Sequence, residues 1–196
     1  RSSEDPCVAG TMAAAQLKGM GKYGVTGTIK HFAGNNQEFK RHDANGVVSE
    51  RALREIYLKG FEIAVKNSQP MSIMTSYNQI NGVHAANSYD ICTKAARDEW
   101  GFAGAIMTDW TTTTASTAGV CTAAGCMRAG NDMVMPGVKA DHDNIRQELK
   151  EGTLEPGALQ RCICNTVSLA LQSNQYEEAV SYSSQFDGLG TYMTVE

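Results

Sequence analysis

Gly104-Ala105-Ile106-Met107-Thr108-Asp109-Trp110 is the stretch on which the fold turns. A short apolar run follows Trp100-Gly101-Phe102 and ends in a carboxylate before the polar Thr111 to Thr114. Such a run, bounded by turn and polar residues, reads as a buried strand. In a parallel barrel, the residue at the carboxyl end of a strand faces the active site. Asp109 is therefore the first candidate for chemistry. On this stretch alone the same Asp reads more readily as the N-cap of a following helix. Its neighbours in the rest of the chain decide between the two.

Working back toward the amino end, Asp5-Pro6 is a helix start, with Asp as N-cap and Pro at the first helical position. Val8, Met12, Ala13 and Leu17 to Met20 give that helix a modest apolar face, and Gly19, Gly21 and Gly24 break it. Residues 25–32, Val-Thr-Gly-Thr-Ile-Lys-His-Phe, are short and rich in β-branched side chains and predict a strand, with a polar loop over 35–45. The clearest helix starts near Ser49, where Leu53, Ile56, Tyr57, Gly60, Phe61 and Ala64 recur at steps of three and four. Glu50–Arg54 and Glu55–Lys59 are expected i,i+4 pairs, worth ~0.2–0.5 kcal/mol each. A strand is predicted over 71–77 and a helix over 88–100. Beyond Asp109, small residues from Ala115 to Ala129 predict a closely packed helix, and 129–136 a short strand closed by Pro-Gly. Helices are predicted over 141–150 and 156–172. The polar residues 173–196 read as a tail or linker, leaving 1–172 as the folded domain.

Strand and helix alternate four times, which means parallel βαβ units. Four units are half of an eight-stranded barrel, whose usual length is ~250 residues. An open four-stranded α/β sheet fits the count equally. Polar residues end all four strands: Lys30-His31, Tyr77, Asp109 and Asp132. In a barrel those ends meet at one mouth. A Lys at the end of an apolar strand needs an anionic partner or ligand to offset its burial.

Composition narrows the function. The chain has 196 residues, 42% hydrophobic and 19% charged, so it can build a core. The net charge of -4 and the lack of a basic cluster argue against nucleic acid and against an anionic membrane surface. No apolar run approaches the ~20 residues of a membrane span, and Arg1 to Pro6 has no signal-peptide shape. The six cysteines lack zinc-site spacing and read as free core thiols, which slightly favours a reducing, cytoplasmic setting and leaves a secreted or periplasmic parent open. No metal and no cofactor is expected.

These residues also carry a resemblance. Lys30-His31-Phe32-Ala33 with Asn35-Asn36-Gln37-Glu38 and Arg41 resembles glycoside hydrolase family 3. So do the run from Val48 to Tyr57, Met74-Thr75-Ser76-Tyr77-Asn78 with Asn81-Gly82, and Glu99-Trp100-Gly101-Phe102. Met107-Thr108-Asp109-Trp110 is similar to the family's nucleophile strand, in which Ser usually precedes the Asp. Ser3 to Pro6 and Gly130 to Pro136 complete a likeness spanning residues 3 to 172. The Asn-Asn-Gln-Glu form resembles the β-glucosidase branch; the Pro-Gly-His of the β-N-acetylglucosaminidase branch is absent.

The resemblance implies a retaining, exo-acting hydrolase that removes a terminal β-D-glucosyl residue. Asp109 would be the nucleophile that forms a covalent glycosyl-enzyme, with a second carboxyl ~5–5.5 Å away as acid/base. Lys30 and His31 would bind sugar hydroxyls, Tyr77 would sit beside the nucleophile, and Met74 would line an apolar wall. Trp110 joins the substrate-binding set, although an aromatic at this point is more often core. Arg41 would brace the site. Asn35, Asn36 and Glu38 would form a hydrogen-bonded loop, and Asp132 would be structural. The resemblance covers the carboxyl-terminal half of the catalytic barrel, so the first half and the acid/base domain would come from outside this sequence. Alone the chain is expected to be inactive. Its partners would be a β-glucoside or oligosaccharide substrate and the missing half, or a second copy pairing at the raw sheet edges. A half-barrel that only binds sugar or assembles is the rival reading. Glucose, xylose and arabinose hydrolases share these motifs, so the sugar stays open.

Overall fold

The computed structural model of the chain describes residues 3–115 and 119–173. The expected 173–196 tail therefore lies, from residue 174 on, outside the described residues. Helix α1 spans Pro6–Gly21. Asp5 Oδ1 accepts from the backbone N–H of Cys7 at 2.7 Å and of Val8 at 3.2 Å, satisfying two donors that every helix start leaves open. Strand β1 follows at Thr28–Phe32, and a two-residue strand β2 at Asn45–Gly46.

The helix expected from Ser49 is present in three pieces: α2 at Glu50–Ala52, a π-helical turn at Leu53–Tyr57, and α3 at Lys59–Ser68. Ser49 caps it, its Oγ accepting from Ala52 N at 3.2 Å. In the π turn, Leu58 N–H bonds to the Leu53 carbonyl five residues back at 2.8 Å. That extra residue rotates the face, so Leu58 is buried while Ile56, expected inside, is 53% exposed. The ion pairs move with it. Arg54 meets Glu50 at 2.9 Å as expected, but Glu55 pairs with Arg51 at 3.2 Å and Lys59 with Glu62 at 2.9 Å.

Strand β3 (Ser72–Thr75) comes next, then a hairpin of β4 (Gln79–Ile80) and β5 (Val83–His84). Asn81 and Gly82 both have positive φ, 50° and 87°, which is the type I′ turn that matches strand twist. The hairpin and β2 form a small second sheet in the order β2-β4-β5 that the sequence reading missed; two-residue strands show no alternation to read. A second π-helical segment, Asp90–Glu99, precedes strand β6 at Ala105–Met107. Helices α4 (Thr112–Ala115), α5 (Ala123–Ala129), α6 (Lys139–Glu151) and α7 (Pro156–Gln172) complete the described chain. The single helix expected over Ala115 to Ala129 is thus shorter, and residues 116–118 lie outside the described residues.

The main sheet is parallel in the order β1-β3-β6, with Ile29, Ile73 and Ile106 side by side in register. Consecutive strands are neighbours and helices make the crossovers, an α/β architecture. The expected fourth strand is reduced to one parallel bridge, Met107 with Met133, supported by Asp132 N and Met133 N donating to the Ile106 carbonyl. Pro136, with no N–H, ends the pairing. Beneath the sheet, Phe32, Leu58, Val65, Ile73, Trp100, Phe102 and Ile106 form the core. Phe32 makes edge contacts with Phe61 at 5.0 Å and with Trp100 at 5.9 Å. Cys92, Cys121, Cys126 and Cys162 are buried, but Cys7 and Cys164 are exposed, so the core-thiol reading holds for four of the six. No described helix is long and apolar enough to cross a membrane.

Candidate active site

Three adjacent parallel strands deliver the site. The carboxyl end of β1 carries Lys30 and His31, the chain beyond β3 carries Tyr77, and the chain beyond β6 carries Asp109. The β1 end is fastened to the β3 end from below. Ser76 N donates to the Phe32 carbonyl at 2.7 Å, and Ser76 Oγ and Asn78 Nδ2 donate to the Ala33 carbonyl at 2.8 and 3.2 Å. All of these donors are buried, where an unmade bond costs ~1–3 kcal/mol. The two strand ends are therefore fixed relative to each other.

His31 Nε2 lies 3.3 Å from Asp109 Oδ2. Burial lowers the His31 pKa below its ordinary value; the Asp109 charge pulls it up but does not prevail, and Lys30 and Arg41 push it down further. Burial thus favours the neutral imidazole beside the carboxylate. Asp109 is 7% exposed. Its Oδ1 accepts from the N–H of Trp110, the next residue, at 2.7 Å, and its carbonyl accepts from Thr112 Oγ1 at 2.9 Å. The carboxylate thus does not cap α4, since an N-cap reaches two or three residues ahead.

Tyr77 completes the group. Burial, then the Asp109 charge, then hydrogen bonding to Asp109 push its hydroxyl up to about 12. It stays protonated and donates to the carboxylate. Its ring is held by two residues from the loop after β1: the Arg41 guanidinium stands 4.7 Å from the ring centroid, and the His42 ring lies 3.9 Å away, tilted by 38°. Arg41 is itself paired with Glu38 at 3.0 Å. His42 was missed. An Arg-His step in a polar loop opposite a strand-end Tyr is the one local hint, and only the folded loop brings it to Tyr77.

The remaining candidates fall in different places. Lys30 is exposed, and among the described residues its side chain makes no ion pair or hydrogen bond. It therefore never bears the burial that would have demanded a partner. Met74 is half-buried in β3, in register with Met107, which bridges to Met133; the three methionines line up across neighbouring segments. Trp110 is 55% exposed, so the core reading of this aromatic does not hold.

Asp132 does not join the mouth, contrary to the expectation that four strand ends converge. Its carboxylate is buried and turns toward the opposite end of β6, where Arg97 Nη2 reaches it at 2.6 Å, Ile106 N at 2.8 Å and Asn165 Nδ2 at 2.9 Å. Burial raises its pKa against the pull of those three donors. Among the described residues no group of three or more His, Cys, Asp or Glu is placed to hold a metal.

Comparison with known proteins identifies the family that the chain matches. Residues 1–164 match the family described as "Glycosyl hydrolase family 3 N terminal domain". A beta-glucosidase of Ruminococcus albus is 46% identical over 179 residues, which is 88% of this chain and 19% of that protein. An exo-alpha-(1->6)-L-arabinopyranosidase of Bifidobacterium breve is 41% identical over 168 residues, covering 85% of this chain and 21% of that protein. The structure of beta-glucosidase 3B from Thermotoga neapolitana in complex with glucose superimposes with a TM-score of 0.81 at 41% identity, over 88% of this chain and 24% of that one. The chain spans about a fifth of the length of the curated relatives it matches.

Proposed function

The chain belongs to glycosyl hydrolase family 3, and from that premise we propose that it is part of the catalytic domain of a retaining, β-glucosidase-like hydrolase. The observation that carries the reading is the 3.3 Å contact between His31 and Asp109, with Tyr77 beside them, at the carboxyl ends of adjacent parallel strands. Asp109 is the nucleophile. The hydrogen bond from Trp110 N, hydrogen bonding from Tyr77 and the adjacent His31 ring orient its carboxylate for attack. It attacks the anomeric carbon as the leaving oxygen takes a proton, and water later releases the sugar by the reverse geometry. Lys30 and His31 bind hydroxyls of the terminal sugar, Met74 gives an apolar wall, and the exposed Trp110 offers its ring at the opening. The preference for glucose or for a pentose is open, since relatives bearing either kind of name match over similar lengths, 179 and 168 residues.

Residues 1–172 are proposed as the carboxyl-terminal half of a (β/α)8 barrel, with 173–196 a tail or linker. The sequential parallel strand order supports this, as does the small share of each relative that the chain covers. The proton donor then comes from another part of the protein, and these residues alone turn over no ordinary glucoside.

A 2-deoxy-2-fluoro-β-glucoside with a dinitrophenolate leaving group tests the assignment. So good a leaving group departs without a proton, so the nucleophile can be scored in a chain that lacks the acid. The expected result is one fluoroglucosyl adduct on the tryptic peptide 98–128, absent from Asp109→Asn. Retained glucose binding with no adduct favours the rival reading, a half-barrel that binds sugar or assembles with a second copy; light scattering after size exclusion reports the latter.

A further inference from the structure

We propose that Cys121 and Cys126 are a disulfide-forming pair, a covalent staple across the entrance of α5 that a small disulfide oxidant closes. This does not depend on the role of Asp109. Thr122 is the N-cap of α5, its Oγ1 accepting from Gly125 N at 3.0 Å. Cys121 therefore stands one residue before the cap and Cys126 four residues inside it. Those two positions pack against each other at capped helix starts, where they are usually filled by apolar side chains. In this chain both are thiols. The structure brings them together: both Sγ atoms lie 3.2 Å from the side-chain amide oxygen position of Asn87. A hydrogen bond to Cys121 and burial both raise the Cys126 thiol well above its ordinary value.

Access is unequal. Cys126 is wholly buried, whereas Cys121 keeps 8% exposure beside Val120, which is 78% exposed. Cys121 thus reacts first. Its thiolate attacks one sulfur of the oxidant, the S–S bond breaks, and the first small thiolate leaves and takes up the proton that Cys121 lost. Cys126, deprotonated, then attacks the Cys121 sulfur of the mixed disulfide and expels the second small thiol. Two protein thiols are oxidised and one small disulfide is reduced to two thiols. The bridge pins the start of α5, the next helix after α4 beyond Asp109, and replaces two contacts to Asn87.

The test uses hydroxyethyl disulfide on the folded chain and, in parallel, on the chain in urea. Free thiols are then alkylated under denaturing conditions and tryptic peptides weighed. Both cysteines fall in peptide 98–128, and Cys92, the neighbouring buried thiol, falls in 67–94. The expected product in the folded chain is peptide 98–128 lighter by two hydrogens and without either alkyl group. Cys121→Ser should leave Cys126 fully alkylated and should create no bridge to Cys92. The proposal is overturned if the folded chain keeps both thiols alkylated, joins Cys126 to Cys92, or gives the same mixture of pairings as the chain in urea.

Discussion

Replacing Asp132 separates a structural carboxylate from a reacting one. In the folded chain Asp132 accepts from Arg97, Ile106 N and Asn165, and its side chain is fully buried. Asp132→Ala leaves the Ile106 N–H without an acceptor inside the sheet, a loss of ~1–3 kcal/mol. It also leaves the Arg97 guanidinium, 13% exposed, with only the Gly104 and Gly130 carbonyls at 3.0 and 3.1 Å. Together these give the ~3–5 kcal/mol expected when one partner of a buried ion pair is removed. Asp132→Asn keeps the shape and one acceptor for Ile106 N while the Asn165 amide turns to accept from the new side chain. Because burial of the charge already works against the pair, this change should cost only about 1–2 kcal/mol. Urea unfolding followed by far-UV dichroism reads both. Equal effects of the two variants, or an Ala variant within ~0.5 kcal/mol of the parent, would refute the claim that Asp132 ties the Met133 segment to β6. In either folded variant the fluoroglucosyl adduct should still form.

Three further outcomes are expected. Gly10→Ala puts a Cβ 2.7 Å from the Gly60 carbonyl and 2.9 Å from Ile63 Cβ, so the crossing of α1 and α3 must open; the ~1 kcal/mol helix gain is outweighed and net destabilisation of ~1–2 kcal/mol should appear in urea unfolding. Gly19→Ala in the same helix meets nothing within 4 Å and should instead stabilise by up to ~1 kcal/mol; a shared sign for the two would contradict the close packing of α1 against α3 at Gly10. Tyr77→Phe removes a donor to the Asp109 carboxylate, a loss of ~1.5–3 kcal/mol, and should slow fluoroglucoside trapping about 10- to 100-fold without unfolding the chain. For His31 the folded pKa lies below the unfolded value, so the unfolded state binds more protons between the two and stability falls as the pH drops through that window. Measured below pH 6.5, the parent should therefore lose stability relative to His31→Gln; parallel pH profiles would show that burial does not depress His31.

The sequence alone determined the parallel α/β alternation, the start of α1 at Asp5-Pro6, and the placement of Lys30-His31, Tyr77 and Asp109 at successive strand ends. Each of these is written in local patterns: a cap, a β-branched run, a helical period, a family motif. Folding decided what local patterns leave open. The π turn at Leu53–Tyr57 turned Leu58 in and Ile56 out, because one extra backbone residue shifts every later side chain around the helix. Asp132 went to Arg97 rather than to the mouth, because two donors 35 and 26 residues away in the chain claimed it first. Arg41 and His42 met Tyr77 from across a loop with no period to betray it. Periodicity reports which residues share a face of one element; which faces meet, and which buried charge finds a partner, is settled only when distant segments compete for the same space.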